Sequence, residues 1–451
     1  MGIEMTLPDR PNILLVMSDM QRWDALGCYG NVFVQTPNID RLAERGVRFA
    51  KCFTPFPLCT PARATLWSGV YPHTHNVIGN VYGVDNAFAR SGWRLPLLFD
   101  RLRDAGYTTA YFGKWHLGEK NPGCFDVWSA HNSLGGHWLE GRQAMQGGTY
   151  LVDRETGEGI AFLEAQKNSG KPFAMVQSYY PPHGPYTVPE VFHRMYRGKG
   201  IPYPGYYAAC TAIDANVGRL CKVLEDLGLA ANTVVIYLSD HGTTFEARDG
   251  SYHARVCYEE SVHVPLIVNC PGKGRQPRVV EEFVGLQDIT PTVLDLCGIQ
   301  IPAEVHGRSL RPWLKGDYPQ WRECYYFEST VSPHIRTVSF ISKDMRVVGP
   351  LAQRAIRTDR WKLILSEGGL HELYNLADDP DEILNLYGVP YEDEHDQYRH
   401  FPSHDETIYE LAGRLETEAR KLGDDSGIVL ARSVLDHPIR RYDWKQDSSS
   451  I

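Results

Sequence analysis

Apolar residues in this chain gather in short unbroken runs that each end on a polar side chain. Pro11 to Asp19 reads Pro-Asn-Ile-Leu-Leu-Val-Met-Ser-Asp. A run without alternation suits a strand buried on both faces, as in a parallel sheet covered by helices, and it delivers Asp19 at its carboxyl end. Tyr107–Phe112 repeats the design and leads into Gly113-Lys114-Trp115-His116. Pro172–Tyr180 leads into Pro181-Pro182-His183-Gly184-Pro185-Tyr186, Thr233–Ser239 into Asp240-His241, and Val262–Asn269 is a further apolar strand. Between these runs the apolar spacing turns helical at Asn38–Arg45, Leu95–Ala105, Arg154–Gln166 and about Tyr206–Leu227. Strands alternating with helices predict an α/β fold, a three-layer sandwich around a large, mostly parallel sheet. Every polar candidate falls just past a strand, where open α/β sheets place their sites.

The texture changes after about Thr337. Arg354-Ala-Ile-Arg-Thr-Asp-Arg-Trp-Lys-Leu-Ile-Leu alternates as antiparallel strands do, Glu372-Leu-Tyr-Asn-Leu reads as another strand, and Asp405–Lys421 as a helix. The expected organisation is an α/β domain over residues 1–336, a small antiparallel sheet-and-helix subdomain over 337–430, and an extended tail over 431–451.

One polar stretch stands apart: Cys59-Thr-Pro-Ala-Arg63-Ala-Thr-Leu-Trp-Ser-Gly69. Thr60 suits a cap, Pro61 the first helical turn, and Gly69 the stop. Cys59 then lies at a helix N-terminus, where backbone N–H groups favour an anion, and Arg63 projects from the same face one turn on. An anion site and a buried thiol beside an ordinary arginine account for these residues equally well.

The stretch resembles the signature of type I sulfatases, Cys/Ser-x-Pro-x-Arg followed by Leu-x-(Ser/Thr)-Gly. The resemblance implies an alkaline phosphatase-like fold and extends to the sulfatase-like Glu-Leu-Tyr-x-Leu-x-x-Asp-Pro at Glu372–Pro380. It implies that Cys59 is oxidised to formylglycine by a formylglycine-generating enzyme, and that the hydrated aldehyde attacks the sulfur of a sulfate monoester. Arg63 would position the diol. Lys114 and His116 match the family's Lys-x-His motif; Lys114 would hold a sulfate oxygen, and His116 would take the proton when the covalent intermediate collapses. His183 matches Pro-His-x-Pro and would protonate the leaving alcohol. Asp19, Asp240, His241 and an oxygen of modified Cys59 would bind a divalent metal, Ca²⁺ foremost and Mn²⁺ as the alternative. The resemblance further implies a homo-oligomer, because cytoplasmic members of the family often clasp neighbouring subunits with tails such as 431–451.

Two positions depart from the family pattern. Many sulfatases read Asp-Asp where this chain reads Asp19-Met20, and a thioether is a poor ligand for a hard cation; Gln21 is the neighbour able to offer an oxygen. The lysine four residues before the aromatic of Tyr258-Glu-Glu-Ser is replaced by Ala254, leaving His253 and Arg255 as substitutes toward the sulfate. Met20, with His rather than Asn after Asp240, resembles the choline sulfatase and phosphonate monoester hydrolase branch. The leading expectation is therefore a sulfatase acting on a carbohydrate, aryl or other small-alcohol sulfate. A phosphonate monoester or phosphodiester hydrolase with the same nucleophile comes second, and a non-catalytic binding protein on this fold third.

Composition narrows the rest. A net charge of −9 with no long basic run argues against a nucleic-acid partner. Ile13–Met17 is too short for a membrane span or a signal segment, so no membrane partner is expected. Ten cysteines without Cys-x-x-Cys spacing read as reduced thiols, which suits a cytoplasmic protein. Two segments suggest substrate walls: Glu119–Thr149, with Phe125, Trp128, His131, His137 and Trp138, and Val331–Val348, with His334 and Arg336. A loop packed on its own aromatics explains the first equally well.

Overall fold

The computed structural model describes residues 10–133, 136–140, 148–245, 256–271, 278–331, 351–369, 371–388, 404–437 and 439. Contacts group the chain into two compact units, Met1–Thr243 with Ser261–Trp321, and Thr244–Glu260 with Arg322–Ile451. The second unit thus takes a segment from the middle of the chain as well as its end.

The first unit holds eight strands: β1 Asn12–Ser18, β2 Val47–Phe53, β3 Thr108–Lys114, β4 Val127–His131, β5 Phe173–Ser178, β6 Thr233–Ser239, β7 His263–Asn269 and β8 Arg278–Gly285. They form one sheet in the order β4-β3-β5-β1-β6-β7-β2-β8. All pairings are parallel except those of β7, which runs against β6 and β2. The sheet is therefore mostly parallel, as the alternation of elements implies.

Two apolar clusters explain the unbroken runs. Ile13, Leu15 and Met17 of β1 join one cluster, which includes residues of the helices Cys59–Ser68, Leu98–Asp104 and Ile289–Leu296. Leu14 and Val16 join the other, with residues of the helices Pro37–Glu44, Leu151–Gln166 and Pro204–Asp226. Each central strand buries both faces, so burial selects apolar residues at every position rather than every second one. Helices on both faces of one sheet make the three layers.

The second unit contains β9 Tyr325–Val331, β10 Leu351–Arg357, β11 Trp361–Ser366 and β12 Glu372–Asn375, antiparallel in the order β12-β11-β10-β9. The helix Asp405–Leu422 follows, then a helix Asp425–Leu435. The latter overlaps the start of the expected tail: the Asp424 side chain accepts from Gly427 N at its start, and Leu430, Ala431 and Val434 are buried, so this stretch is packed helix rather than extended chain. Residues 440–451 lie outside the described residues.

Candidate active site

The site is built at the carboxyl ends of β1, β3 and β6, where Asp19, Lys114 and Asp240 emerge as the unbroken runs end. The helix Cys59–Ser68, buried at every residue, adds Cys59 at its first position and Arg63 one turn on. Thr60 is not the cap. Leu58 occupies that position without a side-chain bond, while the Thr60 hydroxyl donates to His116 O at 2.8 Å. The Thr60 N–H is met instead by Asn80 Oδ1 at 3.1 Å, a partner twenty residues away that local spacing could not reveal.

Cys59 Sγ is the meeting point of the other groups. It lies 3.2 Å from His241 Nε2, 3.5 Å from Lys114 Nζ and 3.7 Å from Asp19 Oδ1. Ligand atoms of Asp19, Cys59, Asp240 and His241 all lie within 4.8 Å of one another, and all four residues are buried. Beneath them Arg63 acts as a clamp. Its Nη2 donates to Asp19 and its Nε to Asp240, both at 2.9 Å, and its Nη1 donates to Lys114 O at 2.6 Å and Ser178 Oγ at 2.9 Å.

The charges follow from these contacts. Burial works against ionised Asp19, but Lys114, His183, Arg63 and His241 outweigh it and hold its carboxyl well below the usual range. Burial opposes the Lys114 ammonium too, yet Asp19, 2.5 Å away, and Cys59 keep it above its ordinary value. Asp240 is pushed upward by burial and by Asp19. His241 rises to about 9 despite its burial, because Asp240, Cys59 and Asp19 surround it with negative charge. His116 falls to about 2 through burial and the charges of Lys114 and Arg63.

The donor set fits a divalent cation. Two carboxylates converge with a histidine whose Nδ1 is engaged by Gly242 O at 2.8 Å, which turns Nε2 toward the cluster. A hydrogen bond on the far ring nitrogen is what orients a metal-ligating imidazole. Gln21 does not join: its Oε1 accepts from the hydroxyls of Ser18, at 2.7 Å, and Tyr237. Met20 itself contributes backbone only, its N–H donating to Asp240 Oδ1 at 3.2 Å from a left-handed φ of 62°.

His116 and His183 stand close by. Both His116 ring nitrogens are buried without a hydrogen-bond partner among the described residues, and its φ is 56°. His183 is half-buried, its Nδ1 bonded to Gly184 O at 2.7 Å. Burial and Lys114 lower it to about 4 against the pull of Asp19. Tyr180 links the two sides of the site, stacked on His183 at 4.8 Å with Lys114 Nζ 4.6 Å over its ring.

The sulfatase family profile matches residues 11–299, nearly the whole of the first unit. The chain belongs to the sulfatase family. A further profile, N-sulphoglucosamine sulphohydrolase, C-terminal, matches residues 248–400. An ulvan-active sulfatase of Formosa agariphila is 29% identical over 420 residues, spanning 85% of this chain and 78% of the relative. An N-acetylglucosamine-6-O-sulfatase of Bacteroides thetaiotaomicron is 27% identical over 485 residues, spanning 84% and 83%. Among solved structures, a protein in complex with its substrate D-glucosamine-2-N,6-O-disulfate aligns with a TM-score of 0.72 at 22% identity, over 92% of this chain and 99% of its own. A phosphonate monoester hydrolase from Silicibacter pomeroyi aligns at 0.74 and 20% identity, over 92% and 96%. These two share the fold. The activity of this sulfatase is sulfuric ester hydrolysis.

Not every expected residue is in place. His253, Ala254 and Arg255, with the wall Val331–Val348 beyond its first residue, lie outside the described residues. The other expected wall is largely core. Val127–His131 is strand β4, Phe125 packs against Phe99, Tyr111 and Trp115, and Trp138 pairs with Tyr150. His137 is buried and His131 pairs with Glu155 at 3.1 Å. Sequence reasoning passed over Ser178 and Tyr180; both flank the end of β5, just before the Pro-Pro-His run, and that position was the available signal.

Proposed function

We propose that this sulfatase hydrolyses a sulfate ester borne on a carbohydrate, with formylglycine derived from Cys59 as nucleophile and a divalent cation beside it. The carrying observation is the convergence of Asp19, Lys114 and His241 on Cys59 Sγ above the Arg63 clamp. The sugar-sulfate activities named for the relatives support the substrate class.

Asp19, Asp240, His241 and the modified Cys59 would hold the cation. Two carboxylates favour Ca²⁺, while the imidazole nitrogen makes Mn²⁺ acceptable. Formylglycine supplies a hydrated aldehyde, and the cation lowers the cost of ionising its hydroxyl.

Every other part belongs to the chain. Lys114 presents a fixed positive charge to a sulfate oxygen, and Tyr180 beneath it limits where the ammonium can swing. His116 is neutral, and among the described residues its ring nitrogens have no partner; negative charge brought by the substrate would have to offset Lys114 and Arg63 before it takes a proton. His183 has Nε2 free for the ester oxygen. Burial and Lys114 hold His183 neutral, and an anionic ester beside it would raise its proton affinity, so that it could carry the proton the leaving alcohol takes.

Met20 favours a second reading. With His241 it resembles the phosphonate monoester hydrolase branch, whose substrates are phosphonate monoesters and phosphodiesters. A peptide mass spectrum across Cys59, then kcat/KM on sulfated sugars, aryl sulfates and phosphodiesters, tests both. Turnover of phosphodiesters many orders faster than sulfates would overturn the first. Ten free cysteines support placing the enzyme in the cytoplasm.

A further inference from the structure

The same four residues make a different kind of site while Cys59 is still a thiol. Their ligand atoms are one sulfur, one imidazole nitrogen and two carboxylate oxygens, all buried within 4.8 Å of one another. This is not the donor set of a calcium site. A thiolate and an imidazole select Zn²⁺ over hard cations.

The spacing agrees. With Zn–S of about 2.3 Å and Zn–N and Zn–O of about 2.0 Å, the edges of a tetrahedron between donors measure roughly 3.3–3.6 Å. The separations are 3.2 Å for Cys59 Sγ to His241 Nε2, 3.7 Å for Sγ to Asp19 Oδ1, and 3.9 Å for His241 Nε2 to Asp240 Oδ1. The two distances to Sγ lie within a few tenths of an ångström of the required edge, and the His241–Asp240 separation is longer than its edge by about half an ångström, so a rotation of the Asp240 carboxylate toward the imidazole closes the shell. The donors are already held in place: Gly242 O engages His241 Nδ1, and Arg63 binds the outer oxygens Oδ2 of both aspartates. Lys114, 3.5 Å from Sγ, adds positive charge beside a thiolate.

The geometry points to a tetrahedral zinc site, formed by Cys59, His241, Asp19 and Asp240, in the chain whose cysteine has escaped conversion. Coordination forms a Zn–S bond and releases the thiol proton to solvent. Oxidation of Cys59 to formylglycine removes the sulfur and with it the preference for Zn²⁺, so the modification changes the metal as well as the nucleophile. Cys59 is 3% exposed. A chain that folds before conversion therefore hides its thiol from a modifying enzyme and keeps a site suited to zinc. This inference concerns the unconverted chain, so it stands or falls separately from ester hydrolysis by the converted one.

The test uses full-length protein shown by peptide mass spectrometry to carry the Cys59 thiol, stripped of metal and titrated with Co²⁺. The expected spectrum combines intense visible bands of four-coordinate cobalt with a near-ultraviolet thiolate charge-transfer band, both abolished by one equivalent of Zn²⁺. Cys59→Ser, nearly isosteric, loses the charge-transfer band and binds Zn²⁺ roughly a hundredfold more weakly in chelator competition. His241→Ala weakens Zn²⁺ similarly, and the formylglycine fraction of the unaltered chain, as a folded control, shows no charge-transfer band. A six-coordinate cobalt spectrum in the thiol chain, or equal Zn²⁺ affinity in Cys59→Ser, overturns the proposal.

Discussion

Arg63 Nη2 donates to Asp19 Oδ2 at 2.9 Å, and both side chains are fully buried. Since Arg63 Nε also bonds Asp240, one guanidinium compensates two carboxylates out of reach of water. Removing one partner of such a pair leaves uncompensated charge, at a cost of about 3–5 kcal/mol. Arg63→Met should therefore lower the melting temperature sharply in metal-free buffer, and Ca²⁺ should restore part of the loss by neutralising the same carboxylates. A melt insensitive to the substitution would show that the clamp carries no stability.

Cys59→Ala should abolish turnover while costing only about 1 kcal/mol, since a single sulfur at a helix start is lost from the packing. Activity assays and urea melts on the same preparation check both halves. Activity near that of the unaltered enzyme would place the nucleophile elsewhere.

Gly184 O engages His183 Nδ1 at 2.7 Å, and in the proposed mechanism Nε2 meets the ester oxygen. His183→Ala should slow poor leaving groups, such as sugar alcohols, by roughly a hundredfold to ten-thousandfold, and nitrophenyl sulfate far less. Equal losses on both would contradict its role as an acid.

Asp19, Lys114, His183 and Asp240 were legible because each follows an unbroken apolar run, and a strand buried on both faces announces its own end; Cys59 and Arg63 were legible through the Cys-Thr-Pro-Ala-Arg stretch instead. The strands toward the two ends of the sheet were not. The edge strand β4 keeps partly exposed residues throughout, and β2, paired between β7 and β8, interrupts its alternation with a register shift between Phe49 and Cys52, so neither carries a clean period. Contacts between distant residues were equally hidden: nothing in the local pattern tells that Asn80 meets Thr60, or that Ser178 holds Arg63. The aromatics near residue 125 left two readings open because the composition of a stacking surface and that of a core are the same, and their packing on Phe99, Tyr111 and Trp115 favours the core.

Acid should destabilise the first unit through His75. Burial, with the charges of His73 and His306, lowers it from 6.5 to about 3. Its Nδ1 accepts from Val77 N and its Nε2 meets Thr65 Oγ1, each at 3.1 Å. A depressed folded-state pKa stabilises the fold above the unfolded value. As pH falls from about 6.5 toward 3, the unfolded chain gains a proton that the folded chain refuses. Stability then drops by up to about 1.4 kcal/mol per pH unit for this group. His75→Gln should flatten the pH dependence of the urea midpoint over that window by one proton; an unchanged slope would mean His75 is not held neutral.

Met20 marks where a carboxylate is missing, and restoring it separates the metal from the fold. Its backbone has a φ of 62°, its N–H donates to Asp240, and Tyr206 donates to its carbonyl at 3.0 Å, so the turn is held by main-chain bonds that any side chain keeps. Aspartate enters the left-handed region more readily than methionine. The added negative charge is buried, which should lower the melting temperature of metal-free Met20→Asp. A third carboxylate should in turn tighten Ca²⁺ by about tenfold or more, since affinity follows the charge of the ligand set. Calorimetric titration with Ca²⁺ and melts with and without it read the two effects independently. A destabilised apo protein with unchanged Ca²⁺ affinity would mean that side chain 20 does not face the cation, and that this sulfatase binds metal through Asp19, Asp240 and His241 regardless of its neighbour.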